Sequence, residues 1–179
     1  MMVRLVRAAA VALLALTGSL VAFAGPAHAS VVDANCVPPS NNVTTFNPPI
    51  SLVLAPTTLT YKTTYKPCVS QTVPNLVSGL VNVTSTLNDQ CQMNLQTYVV
   101  TYTITWNTGA TTKVQATHAA SISGGTLVTT YTGTVIAGLF TGSSVVEQQV
   151  GSAVDLQNCL AGLDRLKMLT SRVSLMIYH

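Results

Sequence analysis

His118 is the one histidine in the body of the chain, away from both ends, and a neutral imidazole is the usual general base near pH 7. Its place in an alternating run sets it with Val114 and Ala116 on an apolar face, which predicts a histidine hydrogen-bonded within a core or at its rim. No G-x-S-x-G elbow accompanies it. The carboxylates Asp33, Asp89, Glu147, Asp155 and Asp164 are scattered, without the close pair that glycoside hydrolysis needs, although distant strands can bring such pairs together. Asp155 and Asp164 suit the cap of a helical turn or a position facing water. The expectation is a protein that does not catalyse, with no catalytic residue assigned.

Cys36, Cys68, Cys91 and Cys159 form an even set, which favours two disulfides over free thiols and leaves three connectivities open. The favoured pairing is Cys36–Cys68 with Cys91–Cys159. The first bridge would tie a Pro- and Asn-rich arm to the end of an early strand, and the second would join the middle of the domain to its last segment. Chain-entropy arguments give each roughly 3–4.5 kcal/mol. Zinc is the rival use, but no C-x-x-C pair exists and the histidines beyond residue 29 are only His118 and His179. No metal and no cofactor is expected.

Aromatic rings are the remaining candidates for recognition. Tyr61, Tyr65, Tyr102 and Tyr131, with Tyr98 beside them, could offer stacking platforms and form the candidate binding surface. The competing reading packs the same rings inside the domain with their hydroxyls at its rim.

These side chains must be positioned by a domain whose compartment is set by the first 29 residues. Arg4 and Arg7 precede an apolar run over Ala8–Ala24, and Ala27-His28-Ala29 supplies a small-x-small cleavage site, so residues 1–29 read as a secretory signal peptide. A membrane anchor is the rival, but the run is Ala-rich, is interrupted by Gly18-Ser19 and meets Gly25-Pro26. Nothing later is long and apolar enough to span a bilayer as a helix. The expected location is secreted or cell-wall associated.

Without Arg4 and Arg7 the eight Lys/Arg become six against five Asp/Glu, a net charge of about +1. No basic stripe is left to neutralise phosphates, so nucleic acid is not an expected partner. Solubility falls instead to hydroxyls and amides, with 25 Thr beyond residue 29. Threonine is β-branched and fits a half-exposed pleated surface, which points to an all-β domain.

Period-two alternation supports this. Tyr98, Val100, Tyr102, Ile104 and Trp106 share one face, with Thr101, Thr103 and Thr105 on the other. Asn107-Thr108-Gly109 turns the chain into a second strand over 111–122, and Ser123-Gly124-Gly125 turns it again into a third over 126–136. Further strands are expected at 50–54, 57–66, 80–87, 143–150 and 166–178, with a helical turn within 155–163. Residues 30–49 read as an extended N-terminal arm and 50–179 as one domain. The expected fold is an antiparallel β-sandwich, immunoglobulin-like, with two disulfides; a closed barrel is the alternative, because strand count does not separate the two.

Three stretches carry a resemblance: 103–109 (TITWNTG), 133–142 (GTVIAGLFTG) and Asn158-Cys159-Leu160 ahead of the final β-run. Over residues 80–178 the chain resembles a family of small, largely uncharacterised exported actinobacterial proteins. The resemblance implies an exported bacterial β-sandwich. It transfers no functional residue, and the basic segment 163–167 (LDRLK) departs from the commoner pattern.

The expected function is non-catalytic binding or a structural role in the cell envelope or the extracellular medium, with a wall polysaccharide or another exported protein as partner. A carrier of a small apolar ligand is the sharper alternative, and a secreted protease inhibitor a further one. Asn42-Val43-Thr44 and Asn82-Val83-Thr84 match glycosylation acceptors, incidental in a bacterial host.

Overall fold

Alternation between apolar and hydroxyl side chains runs through nearly every strand, and it wraps into a closed surface. The computed structural model describes residues 31–179, so the signal-peptide reading of residues 1–29 lies outside it. The strands are β1 (Val32–Cys36), β2 (Asn41–Ile50), β3 (Ala55–Tyr65), β4 (Cys68–Val69), β5 (Gly79–Asp89), β6 (Tyr98–Trp106), β7 (Thr111–Ser123), β8 (Thr126–Gly138), β9 (Ser144–Ser152) and β10 (Leu166–Tyr178). A 3-10 turn at Cys91–Leu95 and a short helix α1 (Val154–Leu160) complete the described chain.

Eight strands form an antiparallel barrel in the order β2-β3-β5-β6-β7-β8-β9-β10, closed by pairing of β10 with β2. The fold is therefore all-β as expected, but one closed sheet replaces the expected two-sheet, immunoglobulin-like sandwich. Alternation says only that one face is inward, and both architectures satisfy it. Closure depends on the length of β10. One side pairs with β9 over Ser171–Tyr178, and the other pairs first with β2 over Leu166–Arg172 and then with β1 over Leu175–Tyr178. Bulges in the β7–β8 and β10–β2 ladders add the local bend that a small barrel needs.

The N-terminal boundaries differ from the sequence reading. Residues 32–36 and 41–50 are strands of the sheet, not an arm outside the domain. Residues 51–54, expected as a strand, are a turn in which Leu52, Val53 and Leu54 are exposed. Pro48 and Pro49 interrupt the donors near the end of β2, and Ala55-Pro56 then opens β3 on its own register against β5.

Two apolar clusters plug the barrel. One gathers Tyr65, Leu76, Ile104, Trp106, Val135 and Ile177. The other gathers Phe46, Ile50, Leu127, Leu156 and Leu166. Each holds a disulfide, Cys36–Cys68 in the first and Cys91–Cys159 in the second, which is the pairing favoured from the sequence. Cys91–Cys159 fastens the 3-10 turn to α1 and so holds that plug together.

One seam of the barrel is nearly unpaired. β5 and β6 share only the pairs Gly79–Trp106 and Leu80–Thr105, and then diverge. Gly79 is required at this junction, because a Cβ there would lie 2.7 Å from the Trp106 ring. Beyond it the strands leave a lateral gap, and Val83 and Tyr98, which a fully paired seam would cover, are 40% and 44% exposed.

Candidate functional site

Between the two plugs lies a cavity of about 380 Å³, in the volume range of small-molecule sites. Val83, Leu87 and Asp89 of β5 and Tyr98, Val100 and Tyr102 of β6 line it, so it reaches the lateral gap. Leu59, Leu127 and Leu169 form its apolar side, next to the α1 plug. An eight-stranded barrel has an interior wide enough either to be filled by side chains or to hold one small ligand, and here the filling is incomplete.

The inward parity of four strands brings aromatic rings to this space. Tyr61, Tyr98, Tyr102 and Tyr131 line the cavity, joined by His118. Tyr98 stacks on His118 at 4.4 Å between centroids, His118 meets Tyr131 edge-on at 5.3 Å, and Tyr131 meets Tyr102 edge-on at 6.1 Å. The tyrosines read from sequence as a binding surface thus face inward. Tyr65 does not join them: it is fully buried in the plug, 6.4 Å from Trp106.

His118 is buried, as its parity predicted, and it also borders the cavity. Its Nδ1 lies 2.9 Å from the Gln96 carbonyl, which can only accept, so Nδ1 carries the proton and Nε2 is left as an acceptor. Burial holds its pKa below the ordinary histidine value, opposed by the bond to Gln96.

Behind the tyrosines sits Glu147, fully buried on β9. Its Oε2 accepts from the Tyr65 hydroxyl at 2.7 Å and from the Tyr102 hydroxyl at 3.3 Å, and its Oε1 accepts from Gln149 Nε2 at 2.7 Å. Gln149 also donates to the Tyr61 hydroxyl and accepts from Ser171 Oγ. Burial pushes the Glu147 carboxyl above the ordinary range, and the donated hydrogen bonds pull it back only in part. The same burial, with Glu147 nearby, raises the Tyr61, Tyr65 and Tyr102 hydroxyls.

Asp89 stands at the mouth, 5% exposed and lining the cavity. Its Oδ1 accepts from the Gln90 backbone N–H at 2.7 Å, and among the described residues no donor reaches its Oδ2. Burial raises its carboxyl as well.

Sequence reading left Asp89 and Glu147 as scattered carboxylates and did not single out Gln149. A signal existed for two of them: Val145, Glu147 and Gln149 alternate with Val146 and Gln148, so strand parity placed Glu147 and Gln149 on the face of Val145.

Asp33 anchors a separate cluster, where its Oδ2 accepts from Ser143 Oγ at 2.6 Å and meets His179 Nδ1 at 2.9 Å. Held between the serine hydroxyl and the histidine ring, the carboxylate clasps β1 to the turn before β9 and to the last described residue. Among the described residues no three His, Cys, Asp or Glu side chains converge on a metal-sized point.

No family model, no curated protein and no solved structure matches this chain.

Proposed function

We propose that this is an exported, non-catalytic binding protein that carries a small, mostly apolar molecule inside its barrel. The observation that supports the reading is the interior cavity itself, apolar on one side, tyrosine-lined on the other and open through the seam between β5 and β6. Convergent polar groups beside an apolar pocket are the usual form of a small-molecule site. The two disulfides are compatible with an oxidising compartment, and the proposal keeps the resemblance to small exported actinobacterial proteins.

Native mass spectrometry of the protein secreted by its own host, before and after denaturation, tests the reading. A small-molecule mass lost on denaturation, and missing from a Thr129→Trp variant whose indole would fill the cavity, is the expected result. Protein that is bare when isolated and that takes up no probe from an apolar library overturns it.

A second reading, docking to an exported partner or to wall polysaccharide, draws on one exposed patch. Leu52, Val53, Leu54 and Leu163 are 40–77% exposed at the α1 end, and Leu52 Cδ1 would lie 3.3 Å from a Cβ at Gly162. Pull-down on wall fragments with Val53→Ser and Leu163→Ser variants separates this reading from the first.

A further inference from the structure

The charge and chemistry of the cavity wall discriminate among ligands. Lys62, Lys66, Lys113, Arg165, Lys167 and Arg172 all lie outside the lining, so an anion inside would meet no Lys or Arg among the described residues. An uncompensated buried charge is costly, which disfavours fatty acids, phosphates and other anionic guests.

The lining mixes neutral hydroxyls and amides, which both donate and accept, with one carboxylate and one imidazole acceptor suited to receive positive charge or a hydrogen-bond donor. Asp89 is 5% exposed, and its Oδ2 has no protein donor among the described residues. His118 has its proton engaged by the Gln96 carbonyl, which leaves Nε2 as an acceptor. Tyr61, Tyr102 and Tyr131 present ring surface to the same volume, and aromatic faces attract organic cations, most strongly where water is excluded. Glu147 lies directly behind these rings, bonded to the Tyr102 hydroxyl, and adds to the negative potential there whenever it is ionised. The Leu59, Leu127 and Leu169 side supplies the complementary seat for an apolar body.

We infer that the barrel selects a monocationic organic amine with an apolar body, its ammonium set against Asp89 and the tyrosine faces and its hydrocarbon against the leucines. This rests on the carrier reading above and adds the charge class of the guest to it. The amine gives the accessible Asp89 Oδ2 a partner beyond the Gln90 N–H that holds Oδ1, so the preference arises from pairing and not from size.

Three probes of one shape test it: 2-naphthylmethylamine, 2-naphthylmethanol and 2-naphthoate, titrated by calorimetry into the wild-type protein at pH 7.5. The ammonium form is expected to bind at least tenfold tighter than the alcohol, and the carboxylate more weakly than either. In Asp89→Asn the amine should lose most of its advantage over the alcohol, because the carboxylate that pairs with the ammonium is gone. Equal binding of amine and alcohol by the wild type, or tighter binding of the naphthoate, overturns the charge preference while leaving the carrier reading standing. Failure of all three to bind overturns the inference, and native mass spectrometry of the secreted protein then decides whether the carrier reading falls with it. The wild-type comparison does not depend on whether the Asp89 variant folds.

Discussion

The Tyr65 hydroxyl donates to Glu147 Oε2 at 2.7 Å across 82 residues of sequence, linking β3 to β9 through the barrel interior. Such a bond fixes the distance between two strands that are not neighbours in the sheet. It also sets an ionisable group in an apolar plug, and so makes stability depend on pH.

The sign of that dependence follows from the raised carboxyl. Folded Glu147 keeps its proton to higher pH than the unfolded chain, which releases it near 4.5. Its contribution to stability is therefore full below that value and is lost as pH rises through the raised folded value. Asp89 acts with the same sign. His118, lowered by burial, acts oppositely: its contribution is full above about 6.5 and is lost as pH falls. Glu147→Gln keeps the volume and removes only one of the three titrations. Urea unfolding at pH 5 and pH 8 should show the variant gaining on the wild type at the higher pH. A difference independent of pH would mean that Glu147 titrates alike in both states.

Gly79→Ala tests the junction from which the seam diverges. The added Cβ would lie within 3 Å of the Trp106 ring and of Ile104 Cγ2, both buried in the first plug, so neither can move freely. Overpacking of this kind costs roughly 1–3 kcal/mol. Chemical denaturation should show that loss, and Trp106 fluorescence should change in the folded state. Unchanged emission and stability would show that the ring has room to rotate away.

What the sequence carried was parity. The face of Tyr98, Tyr102 and Trp106, the buried setting of His118 and the bounds of β10 could all be read from alternation, because a residue's side of a strand is a local property. Closure could not, since it depends on the pairing of β10 with β2, whose residues stand more than a hundred positions earlier. The cavity was hidden for a related reason. Tyr61, Asp89 and Tyr131 are ordinary residues in their own strands, and only the curvature of the sheet and the parting of β5 from β6 bring them to one volume.

Cys91–Cys159 holds the 3-10 turn against α1, at the end of the barrel where Leu156 and Phe46 are buried. Its sequence separation of 68 residues predicts about 4 kcal/mol of loop-closure stabilisation. A Cys91→Ala/Cys159→Ala double variant should lose an amount of that order in guanidinium unfolding. The Cys36→Ala/Cys68→Ala pair, with a separation of 32, should lose slightly less. A clearly smaller cost for the longer loop would show that the denatured chain is already restricted around it.

Two leucines of the second plug separate packed core from unfilled space. Leu156 is fully buried in α1, whereas Leu127, 8% exposed, lines the cavity as well as the plug. Truncation of a buried leucine to alanine costs about 2–5 kcal/mol, and the cost grows with the void left behind and with how tightly the site was packed before. Leu127 already borders open volume on one side, so Leu127→Ala should fall near the low end and Leu156→Ala near the high end. The two should diverge again on addition of a guest. An apolar or amine probe that occupies the enlarged cavity binds only the folded state, and should therefore recover stability in Leu127→Ala by mass action. Leu156→Ala should recover no more than the wild type gains. Equal costs, with no selective recovery, would mean that the space beside Leu127 closes when the side chain is removed and is not held open by the barrel wall.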